Sequence, residues 1–152
     1  MIMEEPQLVI KGTAQLSSLE LLKILEERVK VFVVEQKCPY QEVDEKDADA
    51  LHVYFKQNHE LAAYARIVPH DNNKDISFGR ILVVKKYRST GLGRKLVTET
   101  LKQIRQRYPH TDVKIQAETY LLNFYSSFGF RVVSGSYLVD GVSHTDMILS
   151  LK

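Results

Sequence analysis

Arg88-Ser89-Thr90-Gly91-Leu92-Gly93 stands between an apolar run and a segment of helical periodicity, an arrangement from which a phosphate site can be built. Glycines at such a turn let the backbone bend sharply and approach a ligand closely. The first N–H groups of the following helix lack intrahelical partners and, aided by the helix dipole, can hold a phosphate. Lys85, Lys86, Arg88, Arg94 and Lys95 surround the turn with positive charge, which suits a pyrophosphate. The P-loop pattern G-x-x-x-x-G-K-S/T is absent, and the dinucleotide fingerprint fails because its third glycine position holds Leu96. Taken alone, Gly91-x-Gly93 remains open to a second reading as a glycine-assisted loop.

Other reactive groups are scattered. The five histidines show no metal-ligand spacing and Cys38 has no partner at C-x-x-C distance, so no metal is expected. A nucleophile at Cys38 served by His52 would need the fold to join them. The acidic stretch from Glu42 to Asp49 reads as a solvated face, or as a field that attracts a cationic amine.

The elements that must position these groups follow from periodicity and punctuation. A first strand covers residues 7–12. Ser17 and Glu20 fit a capping box, and Leu22, Leu25, Val29, Phe32 and Val33 recur at helical spacing to about Val34. Residues 35–50 predict a long loop or a short second helix. Strands over 51–57 and 60–68 meet at Asn58-His59 with hairpin brevity. A fourth strand covers 75–84; its alternation slips between Phe78 and Ile81, and Gly79 inside the slip predicts a bulge.

Residues 92–108 predict a helix with Val97, Leu101, Ile104 and Tyr108 on one stripe and Pro109 as its stop. A fifth strand over 112–117 precedes a helix marked by Leu121, Phe124, Tyr125 and Phe128 and ended at Gly129. Strands over 131–137 and 144–151 close the chain around a turn at Asp140-Gly141. The order β-α-β-β-β-α-β-α-β-β is mixed α/β with one sheet.

Bulk properties bound the function. A chain of 152 residues reads as one domain, with enough core to fold without disulfides. The net charge of +2 lacks the concentrated basic surface of a nucleic-acid binder. Neither a secretory leader nor an apolar run long enough to span a bilayer is present, so a soluble cytoplasmic protein without membrane or nucleic-acid partners is expected.

Two motifs resolve the glycine turn. Arg88-x-x-Gly91-x-Gly93 resembles the R/Q-x-x-G-x-G/A motif of the GNAT superfamily of N-acetyltransferases, where it opens the helix that cups the CoA pyrophosphate. Thirty residues after Gly93, Asn123-Phe124-Tyr125-Ser126-Ser127-Phe128-Gly129-Phe130 is similar to that family's F-Y-x-x-x-G-F signature. The likeness covers the whole chain, 1–152, as a single N-acetyltransferase domain. It implies a central mixed sheet of about seven strands flanked by about four helices. Arg28-x-x-Val31-Phe32-Val33-Val34-Glu35-Gln36 with Tyr40, Asp44 and Asp47, then Gln116-Ala117 and Asp140-Gly141-x-x-His144, resembles the ElaA-like branch.

The resemblance implies acetyl-CoA as co-substrate and direct attack of a primary amine on its thioester through a tetrahedral intermediate. It assigns the thioester oxygen and pantetheine amides to backbone around Leu82, Val83 and Val84. The phosphates go to Arg88, Ser89, Thr90, Gly91, Leu92, Gly93 and Arg94, with Asn123 also on the cofactor. Tyr125 is the implied acid for the departing thiolate; reference pKa values of about 10 and about 8.5 allow that exchange. Its stripe with Leu121 and Phe128 leaves simple packing as the competing role.

On the acceptor side the resemblance points to Glu35, Asp44 and His144. The base stays open among Glu35, Glu42, Asp44, Glu118, His52 and His144. Two positions depart from the family: Thr119 replaces a frequent asparagine, and the fourth strand carries Arg80 where many members carry a glutamate. A small-molecule or peptide amine is the expected acceptor, and a homodimer is one assembly open to the chain. The rival of another class is a CoA-binding sensor or interaction module without catalysis.

Overall fold

The computed structural model describes residues 4–151. β1 (Gln7–Gly12), β2 (Leu51–Gln57), β3 (Glu60–Pro69) and β4 (Ile76–Val83) form an antiparallel meander. β5 (Val113–Glu118) joins β4 in parallel after the crossover helix α2 (Leu92–Arg107). β8 (Val142–Leu149) pairs antiparallel with β5 on one side and with β6 (Arg131–Val132) and β7 (Tyr137–Val139) on the other. The sheet order is β1-β2-β3-β4-β5-β8-β6, with β7 beside β8. Eight strands rather than seven result because the strand expected over 131–137 is interrupted between β6 and β7.

Both tight hairpins owe their register to two-residue turns. Asn58 and His59 have φ of 53° and 64°, Asp140 and Gly141 of 49° and 82°. Positive φ at both central residues matches the turn to the right-handed twist of the flanking strands.

α1 (Ser18–Val29) starts at the expected capping box. Ser17 Oγ accepts from the Glu20 N–H at 3.1 Å, and Glu20 Oε1 accepts from the Ser17 N–H at 2.9 Å. The helix then widens into a π-turn over Lys30–Glu35, with Gln36 N–H bonded to Val31 O at 3.2 Å. Its buried face differs from the expected stripe. Leu22 is 61% exposed and Val29 is exposed, whereas Ile24, Glu27, Arg28 and Val31 are buried. Arg28 turns inward because a set of carboxylates awaits it, described below.

α1 covers one sheet face through Ile24, Val31, Tyr54, Leu61, Tyr64 and Leu82. α2 covers the other with Leu92, Leu96, Val97, Leu101 and Ile104 against Val53, Ala63, Ala65, Val113 and Met147. Tyr108, expected on that stripe, is exposed at the helix C-cap. A short α3 (Leu122–Ser126) completes the three α-helices and sends Tyr125 into the second core. Four helices were expected; the acidic stretch forms only a 3₁₀ turn over Glu45–Ala48. Among the described residues no helix is long and apolar enough to cross a membrane.

Candidate active site

β4 and β5 pair only at Ile76↔Val113 and then part. The β4 bulge accompanies the parting: Tyr64↔Leu82 and Arg66↔Gly79 leave Arg80 and Ile81 opposite Ala65 alone. The bulge expected around Gly79 is present, and its left-handed residue is Arg80, with φ of 51°. The opened strands wall a cavity of about 620 Å³, lined by Ile81, Leu82 and Val83 from β4 and by Gln116 and Glu118 from β5. Phe32 and Glu35 from the π-turn, Tyr125 from α3, and Asp140 and His144 from the last hairpin complete it.

The ladder decides which backbone groups reach this cavity. Val84 N–H bonds to Ala62 O of β3 at 2.8 Å. Alternation then turns the Leu82 N–H toward β3 as well and leaves that of Val83 facing the opened side. Of the three positions expected to supply N–H donors, Leu82 and Val84 have theirs committed to the sheet. Of the three, only the Val83 N–H faces the cavity.

Gly91 is the N-cap of α2, with φ of 82° and no side-chain cap, so the first N–H groups of the helix stay available. A Cβ on Gly93 would meet Val83 Cγ2 at an ordinary 3.6 Å. Ser89 is left-handed too, and the Thr90 hydroxyl donates to Tyr87 O at 2.7 Å, which fixes the loop. Arg94 joins the two motifs: it donates to Ser127 Oγ at 2.8 Å and lies 4.7 Å from the Phe128 ring centre. Arg88 turns away from the helix start. Its Nε donates to Val83 O at 2.8 Å and its Nη2 meets Glu35 Oε1 at 3.0 Å. Asn123 is exposed on α3 and does not line the cavity.

Tyr125 is 5% exposed, yet it lines the cavity. Burial raises its phenol well above the ordinary tyrosine value, and the charge of Glu118 raises it further. Tyr120 lies 74% exposed at the mouth, but partial desolvation of its hydroxyl and the adjacent Glu118 push it up to about 12.

The acidic stretch serves the fold. Arg28 donates from Nε to Glu42 at 2.7 Å and from Nη1 and Nη2 to Asp47 at 2.7 and 3.0 Å. Arg66 holds Asp44 at 2.7 and 3.0 Å and Asp47 at 3.0 Å. Arg80 approaches Glu42 at 3.3 Å and Asp44 at 3.5 Å. Three guanidinium groups thus neutralise three carboxylates beside the sheet. Asp44, expected on the acceptor side, is spent here and does not line the cavity. Its carboxyl lies below the ordinary range because Arg66 hydrogen-bonds it.

His52 is no base for the cavity. The one proton of the Thr13 hydroxyl goes to Asp47 O at 2.5 Å, so His52 Nε2–H donates to Thr13 at 2.7 Å and Nδ1 accepts from Tyr64 at 2.6 Å. Cys38, on the cavity wall, donates instead to Asp140 O at 3.2 Å and ties the loop after α1 to the last turn. Glu35 and His144 do reach the cavity, with Glu35 engaged by Arg88. Thr119 bonds to Ser143 and Thr145 across the β5–β8 ladder. Among the described residues no group of His, Cys, Asp and Glu could hold a metal ion.

The ion cluster escaped sequence reading, because Arg28 is one of five charged residues in α1 and nothing local marks it as buried. Glu118 was only one of six possible bases until the parted strands gave it a cavity.

Comparison with known proteins agrees with this geometry. Residues 20–151 match the family described as an acetyltransferase (GNAT) domain. Protein ElaA of Escherichia coli K12 is 39% identical over 137 residues, covering 88% of this chain and 90% of its own. The crystal structure of E. coli ElaA superposes with a TM-score of 0.89, covering 95% of this chain and 99% of that one. An acyl-CoA N-acyltransferase from Pseudomonas aeruginosa, 34% identical, superposes with a TM-score of 0.90 over the same shares.

Proposed function

The chain belongs to the GNAT acetyltransferase family and is an acyltransferase, and from that premise we propose that it moves the acetyl group of acetyl-CoA to a primary amine by direct attack. The observation that carries the reading is convergence on one cleft. The cavity-facing backbone of Val83 and the phenol of Tyr125 border it, and the uncapped start of α2 stands behind its β4 wall, with Gly93 next to Val83.

In this reading the phosphates of acetyl-CoA lie at residues 88–94, and the pantetheine arm runs between the parted β4 and β5. The Val83 N–H is the donor for the thioester oxygen as charge develops on it; one such donor is worth about 2.7–4 kcal/mol of barrier. The amine enters from the side of Glu35 and His144, its nitrogen attacks the carbonyl carbon, and the C–S bond breaks. Tyr125, protonated through neutral pH, gives its proton to the sulfur. On this reading the enzyme acts in the cytoplasm, and its acceptor is a small molecule or a peptide amine.

Thermal shift and thiol release together test the proposal. Acetyl-CoA at about 100 times its dissociation constant stabilises by about 2.7 kcal/mol, a rise in Tm of roughly 5–10 °C for a chain of this size. No shift at millimolar acetyl-CoA overturns the donor assignment. A shift without thiol release across a panel of amines makes the protein a CoA-binding sensor instead.

A further inference from the structure

Resting on that reading, we infer that Glu118 is a catalytic residue on the acceptor side, where its carboxylate binds the ammonium group of a cationic amine and takes its first proton. The acidic stretch cannot serve this purpose, because Glu42, Asp44 and Asp47 are neutralised by Arg28, Arg66 and Arg80. Three acids line the cavity: Glu35, Glu118 and Asp140. Glu35 is paired with Arg88, and Asp140 sits exposed on the rim at the last turn. Glu118 is partly buried and, among the described residues, has no ion-pair partner.

Position distinguishes Glu118 further. It ends β5, the wall across the cleft from Val83, and stands directly opposite His144 in the β5–β8 ladder. Ile115 and Ala117 point into the α2-side core, so alternation turns Gln116 and Glu118 into the cavity. It lines the cavity together with the buried phenol of Tyr125 and with Tyr120 at the mouth, and it raises both phenols. His144 is the weaker candidate for an ammonium. Its Nδ1–H donates to Val142 O at 2.8 Å, which leaves a neutral ring one lone pair and no charge to offer.

Proton bookkeeping closes with these two residues. The ammonium loses one proton to Glu118, which releases it to solvent. The neutral nitrogen forms the C–N bond, the C–S bond breaks, and the sulfur takes the Tyr125 proton. The nitrogen's second proton then restores the tyrosine.

The same electrostatics select the substrate class. The two cavity-lining guanidinium groups, Arg80 and Arg88, are already held by carboxylates. An acceptor carrying its own carboxylate would meet Glu118 and Asp140 with, among the described residues, no free cation lining the cavity to offset them. The class assigned is therefore an alkyl amine or diamine cation rather than an amino acid.

The experiment compares butylamine, putrescine and γ-aminobutyrate as acceptors for wild type, Glu118→Gln and Glu118→Asp, with the acetyl-CoA thermal shift measured for each. Wild type should favour both amines over γ-aminobutyrate by at least about tenfold in kcat/KM. Glu118→Gln should keep the thermal shift and lose about 10²-fold or more in kcat/KM. That loss should shrink as pH rises toward the amine's own pKa of about 10.4, where free base needs no proton acceptor. The other titratable groups lining the cavity are Cys38, Tyr40, Tyr120, Tyr125 and His144, with Arg80, Arg88, Glu35 and Asp140 as its further charged groups. Glu118→Asp, which keeps the charge, should recover part of the activity.

Wild-type kcat/KM in Glu118→Gln, or a preference for γ-aminobutyrate, overturns the inference. Binding of acetyl-CoA with no turnover of either amine also overturns it and leaves the CoA site standing. Absence of the thermal shift in wild type is the distinct result that removes the underlying reading.

Discussion

Replacing Arg28 by methionine should destabilise this protein more than most single substitutions. The side chain is 0% exposed. It bonds to Glu42 at 2.7 Å, to both oxygens of Asp47 at 2.7 and 3.0 Å, and to Glu42 O at 3.1 Å. Methionine preserves much of the apolar stem, so the loss is mainly electrostatic. Glu42, Asp44 and Asp47 would face only Arg66 and Arg80, leaving one buried negative charge uncompensated. Breaking such a pair costs about 3–5 kcal/mol, a large share of the roughly 5–15 kcal/mol that holds a domain together. At about 2–4 °C per kcal/mol for a chain of this size, Tm should fall by roughly 6–20 °C. Urea melts followed by circular dichroism would give the free energy directly, with an unchanged m-value showing that only stability moved. The sharper version adds Asp47→Asn. The double variant restores charge balance, two carboxylates against two guanidinium groups, and should be more stable than Arg28→Met alone. A loss below about 1 kcal/mol in the single variant, or simple additivity in the double, would refute the account of the cluster as a neutral unit.

The pH dependence of stability, Tyr125 and the two glycines of the turn give further tests. Burial lowers His52 from 6.5 to about 4, so the unfolded state binds the extra proton first. Stability should fall as pH drops from about 6.5 toward 4, by about 3 kcal/mol at most, and a Tm flat across that window would refute the neutral, hydrogen-bonded histidine. Below about pH 4 the depressed carboxylates Asp44 and Asp47 should add a second, steeper loss in the same Tm series. Tyr125→Phe should cut kcat by about 10²–10⁴-fold while Tm and acetyl-CoA affinity hold; wild-type turnover in steady-state assays would return proton delivery to water. Gly91→Ala should lose about 1–2 kcal/mol in denaturant melts because its φ is 82°. Gly93→Ala, whose Cβ has room in the ligand-free fold, should stay folded and weaken acetyl-CoA in a binding titration.

What the sequence determined by itself was local. The capping box at Ser17 and Glu20, the turns at Asn58-His59 and Asp140-Gly141, and the glycine turn before α2 each depend on residues a few positions apart. Backbone sterics and helix-end hydrogen bonding act at that range, so they are written in the chain. The two motifs added the family and with it the sheet that the structure displays, apart from a split sixth strand and one helix fewer. Tertiary structure alone decided which polar groups face the reaction. Arg28 is bonded to Glu42 and Asp47, fourteen and nineteen positions away, and no periodicity rule finds such partners. A helical wheel counted Leu22 and Val29 as core because it weighs hydrophobicity, whereas the fold buried Arg28, whose charge had a destination. The same pairing removed Asp44 from the acceptor side, and Glu35 drew Arg88 away from the helix start. Glu118 came to line a cavity only because β4 and β5 part after a single paired position; a carboxylate at a strand end means little until a cavity opens beside it.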